Sequence, residues 1–139
     1  MQRIHVVAAV IYGNSNQILI ARRAAHLHQG GLWEFPGGKL EANESPYQGL
    51  VRELTEELDI RVTSATPFIQ VSHDYTDKQV LLDVWQVTAF VGQARGAEGQ
   101  ECKWVPVSDL LSQSSNYQFP EANTPILEKL ASTRPQSPA

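Results

Sequence analysis

Within this 139-residue chain, the residues best spaced to do chemistry are three glutamates on one short stretch, Glu53, Glu56 and Glu57. On a helix, positions i, i+3 and i+4 are neighbours, so these carboxylates share a face, with Arg52 beside them. Like charges at that spacing destabilise a bare helix by roughly a few tenths of a kcal/mol. A hard divalent cation offsets the repulsion, because Mg²⁺ takes oxygen ligands in octahedral geometry. A cation held there can bridge phosphate oxygens, neutralise charge that grows in a transition state and acidify a bound water. Taken alone, three glutamates read more readily as a solvated helix face. Their neighbours favour chemistry. Pro36, Gly37 and Gly38 break regular structure and offer a backbone able to bend and to approach a ligand closely. Gly49, one turn before Glu53, costs about 1 kcal/mol relative to alanine inside a helix and leaves room above the acids for a bulky substrate.

The element that positions these acids is predicted over Pro46 to Leu58. Ser45 is a favoured N-cap, Pro46 suits the first helical position, and Gln48 completes a capping box. Tyr47, Leu50, Val51, Leu54 and Leu58 fall in one apolar stripe and are expected to dock on a core, leaving the glutamates on another face.

Gly38, Glu44, Arg52, Glu53, Leu54, Glu56, Glu57 and Ile60 together resemble the Nudix box, Gly-x5-Glu-x7-Arg-Glu-U-x-Glu-Glu-x-Gly-U with U aliphatic. Asp59 stands where the family usually has glycine, and Asp tolerates the left-handed backbone of a helix exit better than most residues. Arg22-Arg23-Ala24-Ala25, the run Trp33 to Glu41, Glu98-Gly99-Gln100 and Phe119-Pro-Glu-Ala-Asn123 resemble the MutT branch of that family, the pyrophosphohydrolases of oxidised purine nucleoside triphosphates.

The resemblance implies an α/β fold, a mixed β-sheet sandwiched between helices. It also implies metal-assisted attack of water on a nucleoside triphosphate, giving the monophosphate and pyrophosphate. Mg²⁺ is the expected cofactor, with Mn²⁺ a substitute. Its ligands would be Glu53, Glu56, Glu57, Glu98 and the Gly37 carbonyl. Glu53 is favoured as the base, Arg52 is expected to orient Glu44 or Glu56, and Lys39 to meet phosphate. Substrate would lie against Arg23, Phe35, Gly38, Lys39, Tyr75, Lys78 and Asn123. Guanine presents O6 and N7 as acceptors, whereas oxidation at C8 makes N7 a donor. A carboxamide has one acceptor and one donor, so Asn123 could select 8-oxoguanine, with Phe35 packing on the ring. Asn123 could equally cap the terminal helix. Dinucleoside polyphosphates, nucleotide sugars and ordinary triphosphates are rival substrates. A nucleotide-sensing module without catalysis is the reading from another class, and the box carboxylates argue against it.

Length and composition agree with one domain, residues 1–131, followed by a disordered tail, 132–139. The net charge of −4 lacks the basic footprint of a polynucleotide binder. A single cysteine, Cys102, reads as a small core residue and permits no intrachain disulfide. The N-terminal apolar run is too short to span a membrane and is predicted as a strand. A cytoplasmic monomer acting on a small nucleotide, with no membrane partner, is expected.

In chain order, residues 3–12 and 17–23 are predicted to form a hairpin about Gly13-Asn14-Ser15-Asn16. The apolar run Val6 to Ile11 suggests a strand covered on both faces. Residues 24–31 read as a loop in which His26 and His28 lack a third ligand. Residues 61–75 and 80–91 form a second hairpin, 92–99 a glycine-rich loop, and 102–105 a short strand. A short helix over 107–111 is capped by Ser108, residues 112–118 are linker, and a terminal helix spans 121–130.

Overall fold

The structure, a computed structural model, describes residues 2–23, 31–111 and 117–132. Its strands are β1 (Gln2–Ile11), β2 (Gln17–Arg22), β3 (Trp33–Glu34), β4 (Gly37–Lys39), β5 (Arg61–Asp74), β6 (Lys78–Val91) and β7 (Cys102–Pro106). Its α-helices are α1 (Pro46–Leu58), α2 (Val107–Leu111) and α3 (Thr124–Ser132). Strands β4-β1-β6-β5 make a mixed sheet in which β1 and β6 run parallel, and β3-β2-β7 make an antiparallel one.

Strand β1 is the centre of the molecule. Val7, Ala9 and Ile11 face α1 and pack with Leu50, Leu54 and Leu58, while Ala8 and Val10 face the opposite core with Ile126 and Leu130 of α3. Burial on both faces is what its unbroken apolar run predicts. The sheet is thus enclosed between helices.

The first expected hairpin does not form as a paired ladder. Both edges of β1 are taken, by β4 and β6, so β2 passes into the other sheet. Only the Tyr12–Ile18 bridge and the bond from Gly13 N to Gln17 O remain of it. The second hairpin forms as expected, β5 against β6.

Helix α1 keeps its predicted bounds. The Ser45–Gln48 capping box is reciprocal, and Asp59 closes the helix in the left-handed region at φ 58°. Tyr47 departs from the predicted stripe: it is exposed, and its ring meets that of Trp85 on β6 edge-on at 5.8 Å instead of entering the core. The predicted terminal helix splits into a 3-10 turn over Glu121–Asn123 and α3, which runs to Ser132. Ser108 lies inside α2, whose first residue follows directly from β7. His26, His28, residues 112–116 and 133–139 fall outside the described residues. Among the described residues, no helix is long and apolar enough to cross a membrane.

Candidate active site

Strand β4 and helix α1 bring the glycines and the acids together. The chain bends at Pro36, but the two glycines after it are extended: Gly37 and Gly38 pair with Ala8 and Val7 of β1, and neither has positive φ. Glycine is required here for room. A Cβ on Gly38 would lie 2.5 Å from the Glu53 carboxylate. Gly49 also differs from expectation, because the space beside it is filled. A Cβ there would meet Leu40 Cδ2 at 2.2 Å and Glu44 Oε1 at 2.9 Å, so Gly49 admits the loop that precedes α1 rather than a substrate.

Arg52 is the hub of the acidic face. Its Nε and Nη2 donate to the two oxygens of Glu44 at 2.7 and 2.9 Å, and Nη2 donates to the Lys39 carbonyl at 3.1 Å. Its Nη1 donates to Glu53 at 2.9 Å and Glu56 at 3.2 Å, and Glu41 lies 3.0 Å from Nε. Arg52 is therefore ion-paired with both Glu44 and Glu56, and with Glu53 as well. Its hydrogen bonds, joined by one from the Glu41 backbone, hold the Glu44 carboxyl down at about 2, while Glu44 in turn pushes the guanidinium up.

Glu57 stands apart from this hub. Its Oε2 accepts the Gly37 N–H at 2.9 Å. Burial raises its carboxyl to about 8, and the negative charges of Glu53, Glu34 and Glu98 push the same way, against the Gly37 bond. Burial also raises Glu53, and Arg52 partly counters it. Among the described residues no three His, Cys, Asp or Glu side chains enclose a ready ion cage, because Arg52 holds Glu53 and Glu56 while Gly37 holds Glu57. The donor set nevertheless fits a hard divalent cation: several carboxylates crowd one another beneath a glycine strand, and an added positive charge would relieve the crowding.

Glu98 joins the group from the loop between β6 and β7. That loop is tied to the end of α1 by bonds from Arg95 N to Leu58 O and from Ala97 N to Glu57 O. Next to Glu98 opens a cleft of about 410 Å³ lined by Arg22, Arg23, Gly31 and residues 98–101. A hollow of about 500 Å³ near Tyr12 and Trp104 contains none of the acids.

The remaining expected residues are dispersed. The Lys39 side chain is exposed with no partner among the described residues. Arg23 lies 3.6 Å from Glu34. Phe35 is buried and stacks on Phe119, their centroids 5.1 Å apart, so Phe119 covers a ring face expected to meet the base. Lys78 stands over the Tyr75 ring at 5.5 Å, at the turn of the second hairpin. In register, Lys78 faces Gln2 whereas Gly38 faces Val7, which puts Tyr75 and Lys78 roughly 16 Å along the sheet from the acids. Asn123 is buried, and among the described residues its side chain makes one hydrogen bond, a long one from Nδ2 to the Pro120 carbonyl at 3.5 Å. It accepts none from the first turn of α3, so it is no N-cap.

Sequence reasoning missed Glu34 and Glu41, a partner of Arg23 and a partner of Arg52. Both lie within the run Trp33 to Glu41 singled out in the sequence, but nothing local in that run names the arginine that each meets.

Comparison with known proteins adds to this geometry. The model of a family described as NUDIX domain matches residues 6–129. The chain is 35% identical to the 8-oxo-dGTP diphosphatase of Escherichia coli (strain K12), over 94% of this chain and 98% of that one. It is 37% identical to the CTP pyrophosphohydrolase of the same organism, over 100% and 99%. A solved MutT structure from work on Aliivibrio salmonicida and Vibrio cholerae superposes with a TM-score of 0.81 at 44% identity, covering 94% of this chain and 98% of that one.

Proposed function

The chain belongs to the Nudix family, and we propose that this Nudix hydrolase cleaves 8-oxo-dGTP to 8-oxo-dGMP and pyrophosphate, removing an oxidised nucleotide from the precursor pool. The observation that carries the reading is the convergence of Glu53 on Gly38 and of Glu57 on the Gly37 N–H, with the charge of Glu98 acting on both acids and Arg52 orienting Glu53.

Nudix hydrolases depend on divalent metal. Glu53, Glu56, Glu57, Glu98 and the Gly37 carbonyl would hold Mg²⁺, which when bound supplies charge neutralisation on the phosphates and a more acidic water. Glu53 takes the proton of the attacking water, because it is the acid shared between the Gly38 strand and Arg52. Arg52 fixes the Glu53 rotamer and never needs to touch phosphate. Lys39, exposed beside the glycines, meets the phosphate chain, and Arg23, paired with Glu34, borders the nucleoside.

Asn123 reads the base. Its weakly held carboxamide accepts from N7–H and donates to O6 of 8-oxoguanine, whereas guanine would set its N7 lone pair against the amide oxygen. A buried mismatch of that kind can supply discrimination of about 10⁴-fold, which shape alone rarely gives. The stacked Phe35–Phe119 pair would supply an apolar wall for the ring.

A second reading, hydrolysis of CTP, is favoured by the 37% identical relative that spans the whole chain. One assay separates them: kcat/KM for 8-oxo-dGTP, dGTP and CTP with Mg²⁺, in wild type and Asn123→Ala. A preference for 8-oxo-dGTP that collapses in Asn123→Ala is expected. A preference for CTP, or an 8-oxo preference that survives the substitution, overturns the base assignment.

A further inference from the structure

Gln100 connects two acids that the metal-site reading above treats as separate ligands. Its Nε2 donates to the Glu57 carbonyl at 3.0 Å, and its Oε1 accepts the Glu98 N–H at 3.0 Å. One carboxamide thus uses both its donor and its acceptor, across 43 residues on one side and two on the other. The Glu57 carbonyl belongs to the last turn of α1, where main-chain oxygens have no partner within the helix. Gln100 and Ala97 N supply two.

The base from which Gln100 reaches is firm. The next residue, Glu101, accepts Arg22 N at 2.9 Å, and Cys102 pairs with Ala21 in the three-stranded sheet. Glu98 itself is exposed on a turn closed by the bond from Gly99 N to Gly96 O. A carboxylate on an exposed turn has no reason of its own to stay beside Glu53 and Glu57, whose charges repel it. Resting on the metal-site reading, we propose that Gln100 is the positioning residue of the Nudix centre: it locks the main chain of Glu98 to the end of α1, and so sets the spacing between Glu98 and Glu57 before any cation arrives. It touches neither substrate nor metal. Groups that orient ligands in this way commonly contribute about 10- to 100-fold to metal affinity.

The test uses Mn²⁺ alone as the probe, with binding to the intact protein read by the loss of free-ion signal in electron paramagnetic resonance. Wild type, Gln100→Ala, Gln100→Met, Glu98→Gln and the double variant Glu98→Gln/Gln100→Met are compared, with circular dichroism reporting the fold. Gln100→Met keeps length without either hydrogen bond, so it serves if the alanine variant fails to fold. The expected result is about tenfold weaker Mn²⁺ binding in the Gln100 variants. The Mg²⁺ concentration for half-maximal rate rises in parallel, while nucleotide KM at saturating metal stays within about twofold. On the Glu98→Gln background the Gln100 substitution should cost nothing more. Affinity within twofold of wild type in folded Gln100→Met, or a full additional loss on the Glu98→Gln background, overturns the positioning role and leaves the metal-site reading intact. If Glu98→Gln itself leaves Mn²⁺ affinity unchanged, Glu98 is no ligand and both statements fall.

Discussion

The Glu53 carboxylate occupies the space that any side chain at position 38 would need, 2.5 Å from where a Cβ on Gly38 would stand. Glycine at 38 is therefore a condition on Glu53. Because the obstructing group is the flexible end of a side chain, Gly38→Ala should fold, with a melting temperature within a few degrees of wild type, while Glu53 is displaced. A misplacement near 1 Å costs about 100-fold in rate. Turnover within a few-fold of wild type in Gly38→Ala would show that Glu53 is not held where the reaction needs it.

Removing charge without shape is the complementary test. Glu53→Gln keeps the fold and loses both ligand strength and basicity, so most activity should disappear. Chelation of divalent ions should stop the wild-type reaction likewise. Persistent turnover in either case rules out the assigned role.

The metal-free protein should respond to pH through Glu57. Its carboxyl is raised from 4.5 to about 8 by burial and by Glu53, Glu34 and Glu98, so the folded state binds the proton more tightly than the unfolded state. Stability from this group is fully present below about 4.5 and is lost as pH rises through about 8, by an amount on the order of a few kcal/mol. Burial raises Glu53 and Glu34 in the same direction. Thermal unfolding in chelator should fall from pH 5 to pH 8.5, and Mg²⁺ should restore more at the upper end. A flat profile would place Glu57 in a wetter setting than the structure does.

Glu44 titrates on the opposite limb. Arg52 holds its carboxyl near 2, below the ordinary 4.5, so its contribution is present above about 4.5 and lost as pH falls toward 2. Arg52→Lys cannot reproduce the two-pronged contact. Carbon-13 NMR of the glutamate carboxyls should place the Glu44 midpoint near 2 in wild type and return it toward the ordinary range in Arg52→Lys. An unchanged midpoint would assign the shift to something other than the guanidinium.

Heavy-oxygen water fixes the site of attack. If water attacks the β-phosphorus, the label enters pyrophosphate. Label in the monophosphate would mean attack at the α-phosphorus and a substrate displaced along α1.

What the chain discloses about itself follows the range of the interactions involved. The bounds of α1, its capping box and the Asp59 exit depend on residues within a few positions of one another, and all are readable from local spacing. Arg52 reaching Glu56 is likewise an i,i+4 matter. The role of Gly49 was not readable, because the atoms that fill its space come from Leu40 and Glu44 on a loop folding back. The same holds for β4: two glycines advertise a bend, and only the β1 edge waiting beside them draws them straight. Phe35 carried the signal of a base-stacking ring, yet its partner Phe119 stands 84 residues away, beyond any local pattern. Gln100 looks like an ordinary loop residue until its two partners are seen in space.

The parallel pairing of β1 with β6 has a consequence for the nascent chain. Every rung joins residues 76 positions apart, as in Gln2 against Lys78. Closing so long a segment is entropically costly, and such non-local contacts place a domain among the slower folders. A ribosome that has released residues 1–77 has already exposed the whole of α1 with its acids, together with the glycine strand, but not the strand against which β1 is aligned. Over that interval β1 can pair with β4 on one edge but not with β6 on the other, so the four-stranded sheet beneath the acids cannot close until residues 78–91 follow.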